Sequence, residues 1–346
     1  MTSQSSVSPP GSAGEGKQAP VRNSDYYVNG VLAADRLVLS KTITLMESSL
    51  PEHQEMALDV VERLLPHTGK AIRLGITGVP GGGKSTFIET LGMKLIEAGH
   101  RVAVIAVDPS SKISGGSIMG DKTRMQFLSA QENAFVRPAA TGQTLGGVAR
   151  KTRESMLICE AAGFDVVIVE TVGVGQLETT VASMVDFFLV LMIPGAGDEL
   201  QGIKRGILEL ADAIVINKAD GDNLTKARLA QREYETALHL VNPRSPDWRP
   251  PVLTCSALEK TGIDEVWDVV LRHREKLGAT GELEARRREQ VFEWTWFLVD
   301  EGLREWFYKN AGTKTLLPAI KKKIGSGVIT PTRAARELLE TITGKE

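Results

Sequence analysis

Short apolar runs recur along the middle of the chain and alternate with stretches of helical periodicity. The runs, of which AFVRPA is the weakest, are AIRLGIT (71–77), RVAVIAVD (101–108), AFVRPA (134–139), DVVIVET (165–171), DFFLVLM (186–192), AIVIN (213–217) and PVLTCSA (251–257). Near-continuous apolar runs are typical of strands that are covered on both faces, and helices between them are typical of parallel crossovers. The pattern therefore predicts an α/β fold, a doubly wound and mostly parallel sheet over about residues 71–277.

Both flanks of this region show helical periodicity without strands. Residues 33–48 and 51–68 carry apolar positions at spacings of three and four, and Pro51 suits the first turn of the second helix. Residues 281–312 predict one long helix that is rich in Trp, Phe and Tyr. Such a helix either packs on its own domain or serves as an association arm, because aromatic side chains are favoured in interface cores. The pattern alone leaves both interpretations open.

The patterns divide the chain into four parts. We predict a disordered tail over residues 1–25, a helical extension over 26–68, a sheet domain over 69–278 and a helical arm over 279–346. The tail is predicted because Ser, Pro and Gly dominate its sequence. Ligands of doubly wound sheets bind at the carboxyl ends of the strands, so the residues after each apolar run carry the most information about function.

The composition argues against several classes of function. Of the 346 residues, 42% are hydrophobic and 24% are charged, and the formal net charge of −2 offers no basic surface for nucleic acid. No apolar run approaches the length of about 18 residues that a membrane span needs, and the first residues lack a signal or transit pattern. We therefore expect a cytoplasmic protein that binds neither nucleic acid nor membrane, with Cys159 and Cys255 as reduced core thiols.

The segment GVPGGGKST follows the first strand and fits the pattern G-x-x-x-x-G-K-[ST]. Glycines let backbone N–H groups curl around phosphates, Lys84 neutralises charge on the β- and γ-phosphates, and the Ser85 hydroxyl is the expected Mg²⁺ ligand. Because the match falls between a strand and a helix, it predicts a phosphate-binding loop. The residues of this loop are Gly78, Val79, Pro80, Gly81, Gly82, Gly83, Lys84, Ser85 and Thr86.

Acidic residues follow the next strands. Asp108 closes the run VAVIAV, where a carboxylate can reach Mg²⁺ or its water, although Asp before Pro is also a common turn residue. Asp121 offers a second carboxylate in the glycine-rich loop 108–124, which is a candidate switch. Glu170 ends the run DVVIV three residues before Gly173. Many GTP-binding proteins use this spacing to place an acid near Mg²⁺ and a backbone N–H near the γ-phosphate.

The motif NKAD follows the run DAIVI and supplies Asn217, Lys218 and Asp220. The Asp220 carboxylate can accept hydrogen bonds from both N1–H and the 2-amino group of guanine, and adenine offers neither donor. Lys218 would pack across the base, and Asn217 would hold the loop to its neighbours. These motifs, in this order on one parallel sheet, predict an enzyme that binds and hydrolyses GTP.

The last strand ends in TCSAL, which resembles the loop whose backbone N–H contacts O6 of guanine. This likeness adds Ser256, Ala257 and Leu258 to the predicted nucleotide-binding residues. Without the NKAD motif, an ordinary exit from a strand would be the preferred interpretation of this segment.

With these motifs in place, the sequence resembles the MeaB/ArgK family of P-loop GTPases, of the SIMIBI class. The likeness covers about residues 35–310 and rests on GITGVPGGGKST, AVDPSS, GGSIMGDKTRM, TLGGVARKTRE, DVVIVETVGVGQ, PGAGDELQGIK and INKAD. Gly82 is a modest departure, because relatives often carry Val there. The resemblance implies GTP and GDP as substrate and product and Mg²⁺ as cofactor, with Ser85, Asp108, Asp121 and Glu170 around the metal.

Family members are homodimeric chaperones of adenosylcobalamin-dependent methylmalonyl-CoA mutase. The resemblance therefore implies a B12-dependent acyl-CoA mutase as partner, allows the adenosyltransferase as another, and favours a dimerisation arm over residues 279–346. It also makes loop 108–124 switch I, Gly173 part of switch II, and the segment 192–204 a third switch. Within that third switch, Asp198 and Lys204 are our candidates for coupling partner contact to hydrolysis.

Two other classes of function remain as alternatives. A small-molecule kinase, suggested by an older arginine-transport label for the family, would use the same phosphate loop, but most metabolic kinases use ATP and NKAD favours guanine. A metallochaperone GTPase would deliver nickel or zinc, but such proteins usually carry Cys- or His-rich motifs, whereas this chain has two Cys and five scattered His.

Overall fold

The computed structural model describes residues 22–107, 125–138, 145–171, 177–195, 205–241 and 243–343. The strands in these ranges are β1 (Ile72–Gly78), β2 (Val102–Val107), β3 (Ala134–Pro138), β4 (Val166–Thr171), β5 (Phe187–Met192), β6 (Ala213–Ile216) and β7 (Val252–Thr254). They form one sheet in the order β3-β2-β4-β1-β5-β6-β7, and every neighbouring pair is parallel. The predicted doubly wound α/β fold is confirmed.

Helices cover the sheet and extend the chain at both flanks. They are α1 (Ser24–Leu32), α2 (Arg36–Glu47), α3 (Pro51–Leu64), α4 (Lys84–Glu97), α5 (Gln126–Ser129), α6 (Leu145–Ala161), α7 (Leu177–Ala182), α8 (Arg205–Leu210), α9 (Leu224–Leu238), α10 (Ile263–Thr280), α11 (Glu282–Lys309), α12 (Ala311–Gly325) and α13 (Pro331–Thr343). None of the helices described here is long and apolar enough to cross a membrane.

The sheet has an apolar core on each of its faces, which explains why its strands read as nearly continuous apolar runs. On one face, Ile76 of β1 packs in a buried cluster with Leu91 of α4. On the other face, Val169 of β4 belongs to a second cluster that includes Met156 of α6 and reaches the N-terminal helices. Side chains that alternate along one strand therefore enter different cores.

The helix α1 lies mostly within the helical extension predicted over residues 26–68, although neither of the two periodic stretches identified there includes it. It begins at Ser24 with Asn23 as its cap, so its first residues do not belong to the disordered tail predicted over 1–25. Gly30 lies inside this helix, where glycine is normally unfavourable. A Cβ atom on Gly30 would lie 2.4 Å from Cγ1 of Val38, so glycine is needed where α2 crosses α1.

The N-terminal helices are joined to the edge of the sheet through Arg137, the penultimate residue of β3. One guanidinium nitrogen of Arg137 binds the Glu47 carboxylate at 2.7 Å, and the other donates to the Ser40 hydroxyl at 3.1 Å. Pro51 occupies the first turn of α3, as the sequence predicted. The helical extension thus packs closely on the sheet domain.

The first turns of α11 are bound to the amino ends of the strands. Gly281, with φ of +75°, separates α10 from α11. Arg287 then forms an ion pair with Asp186, which precedes β5, at 2.6 Å, and it also donates to the carbonyl oxygen of Ala71 at 2.8 Å. The Asp186 side chain is only 6% exposed. This beginning of the predicted arm is therefore an integral part of the sheet domain.

A second buried carboxylate, Asp212, lies at the amino end of β6. Arg286 and His273 approach its Oδ1 atom at 3.3 and 3.5 Å. Burial alone would raise the pKa of Asp212, but the contacts with His273 and Arg286 outweigh it, so that this pKa lies below its ordinary value. Two adjacent arginines of α11 thus bind two buried aspartates at the base of the sheet.

Replacing Arg287 by Ala is expected to destabilise the fold strongly. The substitution leaves the Asp186 carboxylate buried without its ion-pair partner, which costs about 3 kcal/mol or more of the free energy of unfolding. Denaturation by urea, followed by circular dichroism, measures the effect. Arg288→Ala is the matched control, because this neighbouring side chain is exposed and should change the free energy by less than about 0.5 kcal/mol. Equal midpoints for the two variants would contradict the anchoring role.

Farther along α11, the aromatic side chains divide between two faces. Trp294 and Phe297 stack with ring centroids 5.0 Å apart, and the Arg153 guanidinium of α6 lies 5.5 Å from the Trp294 ring centre. Burial lowers the pKa of Arg153 to about 10. Phe292 and Trp296 are each 67% exposed. One face of this helix therefore packs on its own domain, in agreement with the first of the two interpretations. The opposite face presents exposed aromatic side chains.

Candidate functional site

The predicted phosphate loop connects β1 to α4. Gly78 is the last residue of β1, and α4 begins at Lys84 with Gly83 as its cap at φ +84°. A Cβ atom on Gly83 would lie 2.6 Å from Nδ2 of Asn217, so both the conformation and the space favour glycine there. The backbone between these points curls at the carboxyl edge of the sheet, at the start of a helix, where anions are favoured.

Lys84 is buried beneath this loop. Its ammonium group donates to the carbonyl oxygens of Gly78 at 2.8 Å and Val79 at 3.1 Å. The side chain thus folds back along the loop that is predicted to hold the phosphates. A charge in this position can meet a phosphate oxygen with a small movement of its end group.

Ser85 and Glu170 bring two oxygen ligands together next to the loop. The Ser85 hydroxyl donates to Oε1 of Glu170 at 3.2 Å, and Glu170 lies in β4, paired in register with Ile76 of β1. Hydroxyl and carboxylate oxygens are the ligand types that Mg²⁺ prefers, so this pair fits the predicted metal site. Asp108 and Asp121, the other predicted metal ligands, lie outside the described residues, as does Gly173, which was predicted to offer its backbone N–H to the γ-phosphate.

Asn217 connects three parts of the site. Its Nδ2 donates to the carbonyl oxygen of Gly82 at 2.8 Å, and its Oδ1 accepts from the backbone N–H of Ala257 at 3.0 Å. The thiol of Cys255 also lies 3.5 Å from Oδ1, and burial raises the pKa of this thiol to about 12, so it stays protonated. The phosphate loop, the NKAD motif and the TCSAL segment are therefore held together by one amide.

Asp220 is held in place by Ser256. The Ser256 hydroxyl donates a short hydrogen bond to Oδ2 of Asp220 and accepts one from the backbone N–H of Glu259 at 3.0 Å. The sequence predicted only backbone N–H contacts for the TCSAL segment and did not predict that the Ser256 hydroxyl holds Asp220. The presence of Ser in that segment was the one sequence feature that could have suggested it. Lys218, two residues before Asp220, adopts a left-handed conformation at φ +60° and its side chain is exposed. The side chain of Leu258 is also exposed.

The predicted backbone contacts to guanine O6 stay a prediction. The N–H of Ser256 donates to the carbonyl oxygen of Thr261 at 3.0 Å, and the N–H of Ala257 donates to Asn217. Both N–H groups already donate to acceptors within the protein. To contact a guanine base, each would have to break its present hydrogen bond or share its hydrogen between two acceptors.

The third predicted switch is described only at its beginning. Met192 ends β5, and Gly195 has φ of +80°. Asp198 and Lys204 lie outside the described residues, so their roles stay predictions. Because Asn217 N–H donates to the carbonyl oxygen of Met192 at 2.8 Å, the segment leaves the sheet beside the nucleotide motifs.

Comparison with known proteins now identifies the family. A family model described as "Methylmalonyl Co-A mutase-associated GTPase MeaB" matches residues 39–312. The chain belongs to the MeaB family. The match covers the phosphate loop, the NKAD motif and the first turns of α11, so it includes every element of the site described above.

Relatives at high identity agree with this assignment. GTPase ArgK of Escherichia coli (strain K12) is 48% identical over 308 residues, which are 89% of this chain and 93% of ArgK. "Methylmalonic aciduria type A homolog, mitochondrial" of Mus musculus is 45% identical over 331 residues, 93% of this chain and 80% of the murine protein. A solved structure titled "LAO/AO transport system kinase" has a TM-score of 0.76 at 40% identity and covers 94% of this chain and 100% of its own.

The family and its site together define the chemistry. The phosphate loop and the guanine motif lie on one edge of the sheet, and relatives at this level of identity are named as GTPases. This MeaB-family protein is therefore an enzyme that binds guanine nucleotides and hydrolyses GTP.

Proposed function

We propose that this GTPase is a chaperone that gates the loading of adenosylcobalamin onto a B12-dependent acyl-CoA mutase, and that it protects or reactivates that enzyme. The observation that carries the proposal is the family match over residues 39–312, because the family is described by its association with methylmalonyl-CoA mutase. A relative named for methylmalonic aciduria supports the same assignment. Methylmalonyl-CoA mutase is accordingly the first client to test.

In this proposal, nucleotide recognition has a phosphate end and a base end. Lys84 leaves its two carbonyl partners for the β- and γ-phosphate oxygens, and the loop backbone around Gly83 donates N–H groups to the phosphates. At the base end, Asp220 accepts from the guanine ring while Ser256 holds the carboxylate in position. Asn217 keeps the two ends at a fixed separation.

Mg²⁺ is proposed to bind at the pair formed by Ser85 and Glu170, with Asp108 and Asp121 as the other predicted ligands. When bound, the ion neutralises charge on the β- and γ-phosphate oxygens during hydrolysis. Glu170 is longer than the Asp that is common at this position, so its contact to the metal can run through water. The Ser85 hydroxyl, 3.2 Å from that carboxylate, is well placed as a direct ligand.

Slow hydrolysis in the absence of a partner is part of the proposal. In the sequence Val174 follows Gly173, where many GTPases carry a Gln that orients the attacking water. A partner that moves the neighbouring loops would therefore complete the catalytic site. This arrangement suits a protein whose GTP hydrolysis is timed by contact with its client.

Stimulation by the client tests the proposal. We expect apo methylmalonyl-CoA mutase to accelerate GTP hydrolysis by the full-length protein, because the mutase would order the loops that meet the γ-phosphate. Phosphate release is measured with and without the mutase, and a cobalamin enzyme that is not an acyl-CoA mutase serves as the control. If the two enzymes gave the same rate, the proposed client class would be wrong.

The same assay tests the third switch. Lys204→Ala is expected to lower the mutase-stimulated rate more than the basal rate, because Lys204 is proposed to couple partner contact to hydrolysis. Lys226→Ala, an exposed lysine of α9, is the matched control. Equal stimulation of the two variants would eliminate Lys204 as the coupling residue while leaving the client open.

A homodimer is proposed from the exposed face of α11. This face is a stripe of apolar side chains, called here the α11 stripe, whose members are 41–67% exposed and are spaced by four, three, four and three residues: Phe292, Trp296, Val299, Leu303 and Trp306. This is the spacing at which helices pack against one another in coiled coils. Contiguous exposed apolar surface of this kind marks interaction sites.

Charge placed in the α11 stripe is expected to separate the dimer. The double variant Trp296→Asp and Leu303→Asp should lower the mass measured by light scattering to the 37.5 kDa of one chain. The matched control, Arg304→Asp, changes an exposed residue of the same helix outside the stripe and should leave the mass unchanged. A wild-type protein that is already monomeric at micromolar concentration would contradict the proposal.

A further inference from the structure

A buried threonine of α4 binds the loop that follows β7. The Thr90 hydroxyl donates to the carbonyl oxygen of Ala257 at 2.9 Å, across 167 residues of sequence. Thr90 is only 7% exposed, and Ala257 belongs to the same buried cluster as Ile88 and Leu91 of α4. This hydrogen bond therefore lies inside the core. It joins the helix that begins at the phosphate loop to the TCSAL segment.

The partner of this hydroxyl differs from those of two other buried threonines in helices. Thr42 of α2 and Thr152 of α6 each donate to the carbonyl oxygen four residues earlier in their own helix, at 2.8 Å in both cases. This is a common partner for a Thr hydroxyl inside a helix. Thr90 instead donates to a carbonyl group outside its helix, so its hydrogen bond stabilises the position of the loop.

Side chains hold both backbone polar groups of Ala257. Oδ1 of Asn217 accepts from its N–H at 3.0 Å, and Thr90 donates to its carbonyl oxygen. The peptide bond between Ala257 and Leu258 is trans and planar, so its carbonyl and N–H groups point in opposite directions. Because the carbonyl group points to α4, the N–H of Leu258 points away from this helix. This N–H has no acceptor among the residues that the structure describes.

The same turn of the chain contacts the carboxylate that is predicted to read the base. Leu258 lies between Ser256 and Glu259, and these two residues are joined through the Ser256 hydroxyl, which also donates to Asp220. In guanine, the acceptor O6 lies next to the N1–H that Asp220 is proposed to bind. A donor beside Asp220 is therefore needed to complete the recognition of guanine, and the N–H of Leu258 is a donor without a partner in this turn.

We infer that Thr90 is a positioning residue for guanine recognition, which holds the Ala257–Leu258 peptide so that the N–H of Leu258 donates to O6 of the base. The inference rests on the proposed binding of guanine by Asp220. Asp220 then reads N1–H and the 2-amino group, whereas Thr90 acts through the peptide on the reading of position 6. Adenine carries an amino donor at position 6, so an N–H fixed there also disfavours ATP.

Thr90→Val tests this role, because valine keeps nearly the same shape and lacks the hydroxyl. Competition against fluorescent GDP on the full-length protein gives the affinities for GDP and two analogues. Inosine diphosphate lacks the 2-amino group, and 6-thioguanosine diphosphate carries sulfur, a weaker acceptor, in place of O6. We expect the preference for GDP over the thio analogue to fall about three- to tenfold, because one hydrogen bond to a neutral acceptor is lost. The preference for GDP over inosine diphosphate should stay that of the wild type.

Two further variants separate this role from a loss of stability. Thr90→Ser keeps the hydroxyl and should keep both preferences. Thr42→Val, the matched control, removes a buried hydroxyl from α2 and should lower the urea midpoint without changing either preference.

An unchanged preference for GDP over the thio analogue in folded Thr90→Val would overturn the inference. An equal fall in both preferences would also overturn it, because the substitution would then disturb the whole base site. If the wild type bound GDP and inosine diphosphate equally, the proposed role of Asp220 would be wrong, and the thio analogue would still decide the role of Thr90.

Discussion

Asp220→Asn is expected to change the base that this GTPase prefers from guanine to xanthine. The variant loses the carboxylate that accepts from N1–H and the 2-amino group, and an amide presents its own N–H donors to them instead. Two hydrogen bonds to a charged group are lost, so GTP affinity should fall about 100-fold or more. Xanthine carries a carbonyl in place of the 2-amino group and should pair with the new amide.

Competition between labelled GDP and either GTP or xanthosine triphosphate measures this exchange. Asp222→Asn is the matched control, because Asp222 lies two residues away, is exposed, and forms part of the turn Gly221–Asn223. The hydroxyl of Ser256 can still donate to the amide oxygen of the variant, so the loop should keep its position. An unchanged preference for GTP would show that another group reads the base.

Lys84→Ala is expected to abolish most of the GTP hydrolysis. The ammonium group is the only side-chain charge predicted in the phosphate loop, and a preorganised charge of this kind contributes about 100- to 1,000-fold to the rate. The variant also leaves the Gly78 and Val79 carbonyl oxygens without the donor that they have in the wild type. Weaker binding of GTP should therefore accompany the loss of rate.

Single-turnover hydrolysis at saturating GTP separates the loss of rate from the loss of affinity. Lys94→Ala is the matched control, since Lys94 lies on the same helix and pairs with Asp264 at 2.5 Å away from the loop. The unfolding midpoints of both variants should be recorded, because Lys84 is buried. A near-normal rate for the Lys84 variant would overturn the assignment of the phosphate loop.

Most of the sheet could be predicted because its strands obey a local rule. Strands with a core on each face must be apolar at nearly every position. The run that forms β3 is the weakest, because this strand lies at the edge of the sheet and ends in the half-buried Arg137 and Pro138. The phosphate loop and the NKAD motif are visible for a similar reason. The residues of each motif are close together in the sequence at a fixed spacing, and each motif directly follows a strand.

The missed features depend on partners that are distant in sequence. Gly30 argues against a helix locally, and only the approach of Val38 from α2 explains why α1 tolerates it. Nothing in the local sequence distinguishes the Ser256 hydroxyl from other hydroxyls, because its partner Asp220 is 36 residues away and only the fold brings the two together. The sequence around Arg287 suggests an exposed charge on a long helix, yet this side chain binds Asp186, which is 101 residues away in the sequence. Such contacts are set by topology, which spacing does not reveal.

The anchoring of α11 has a consequence for how nucleotide state is communicated. Arg286 and Arg287 fix the helix to the amino ends of β5 and β6, whereas the nucleotide motifs follow the carboxyl ends. At about 1.5 Å per residue, its 28 residues extend for about 42 Å. From the amino ends of the strands, the helix runs along α6 as far as its first turn, where a Cβ atom on Gly146 would lie 2.8 Å from Cζ of Phe297. If α11 forms the proposed dimer, this one helix would connect the contact between the two copies to the edge of the sheet at which the nucleotide motifs lie.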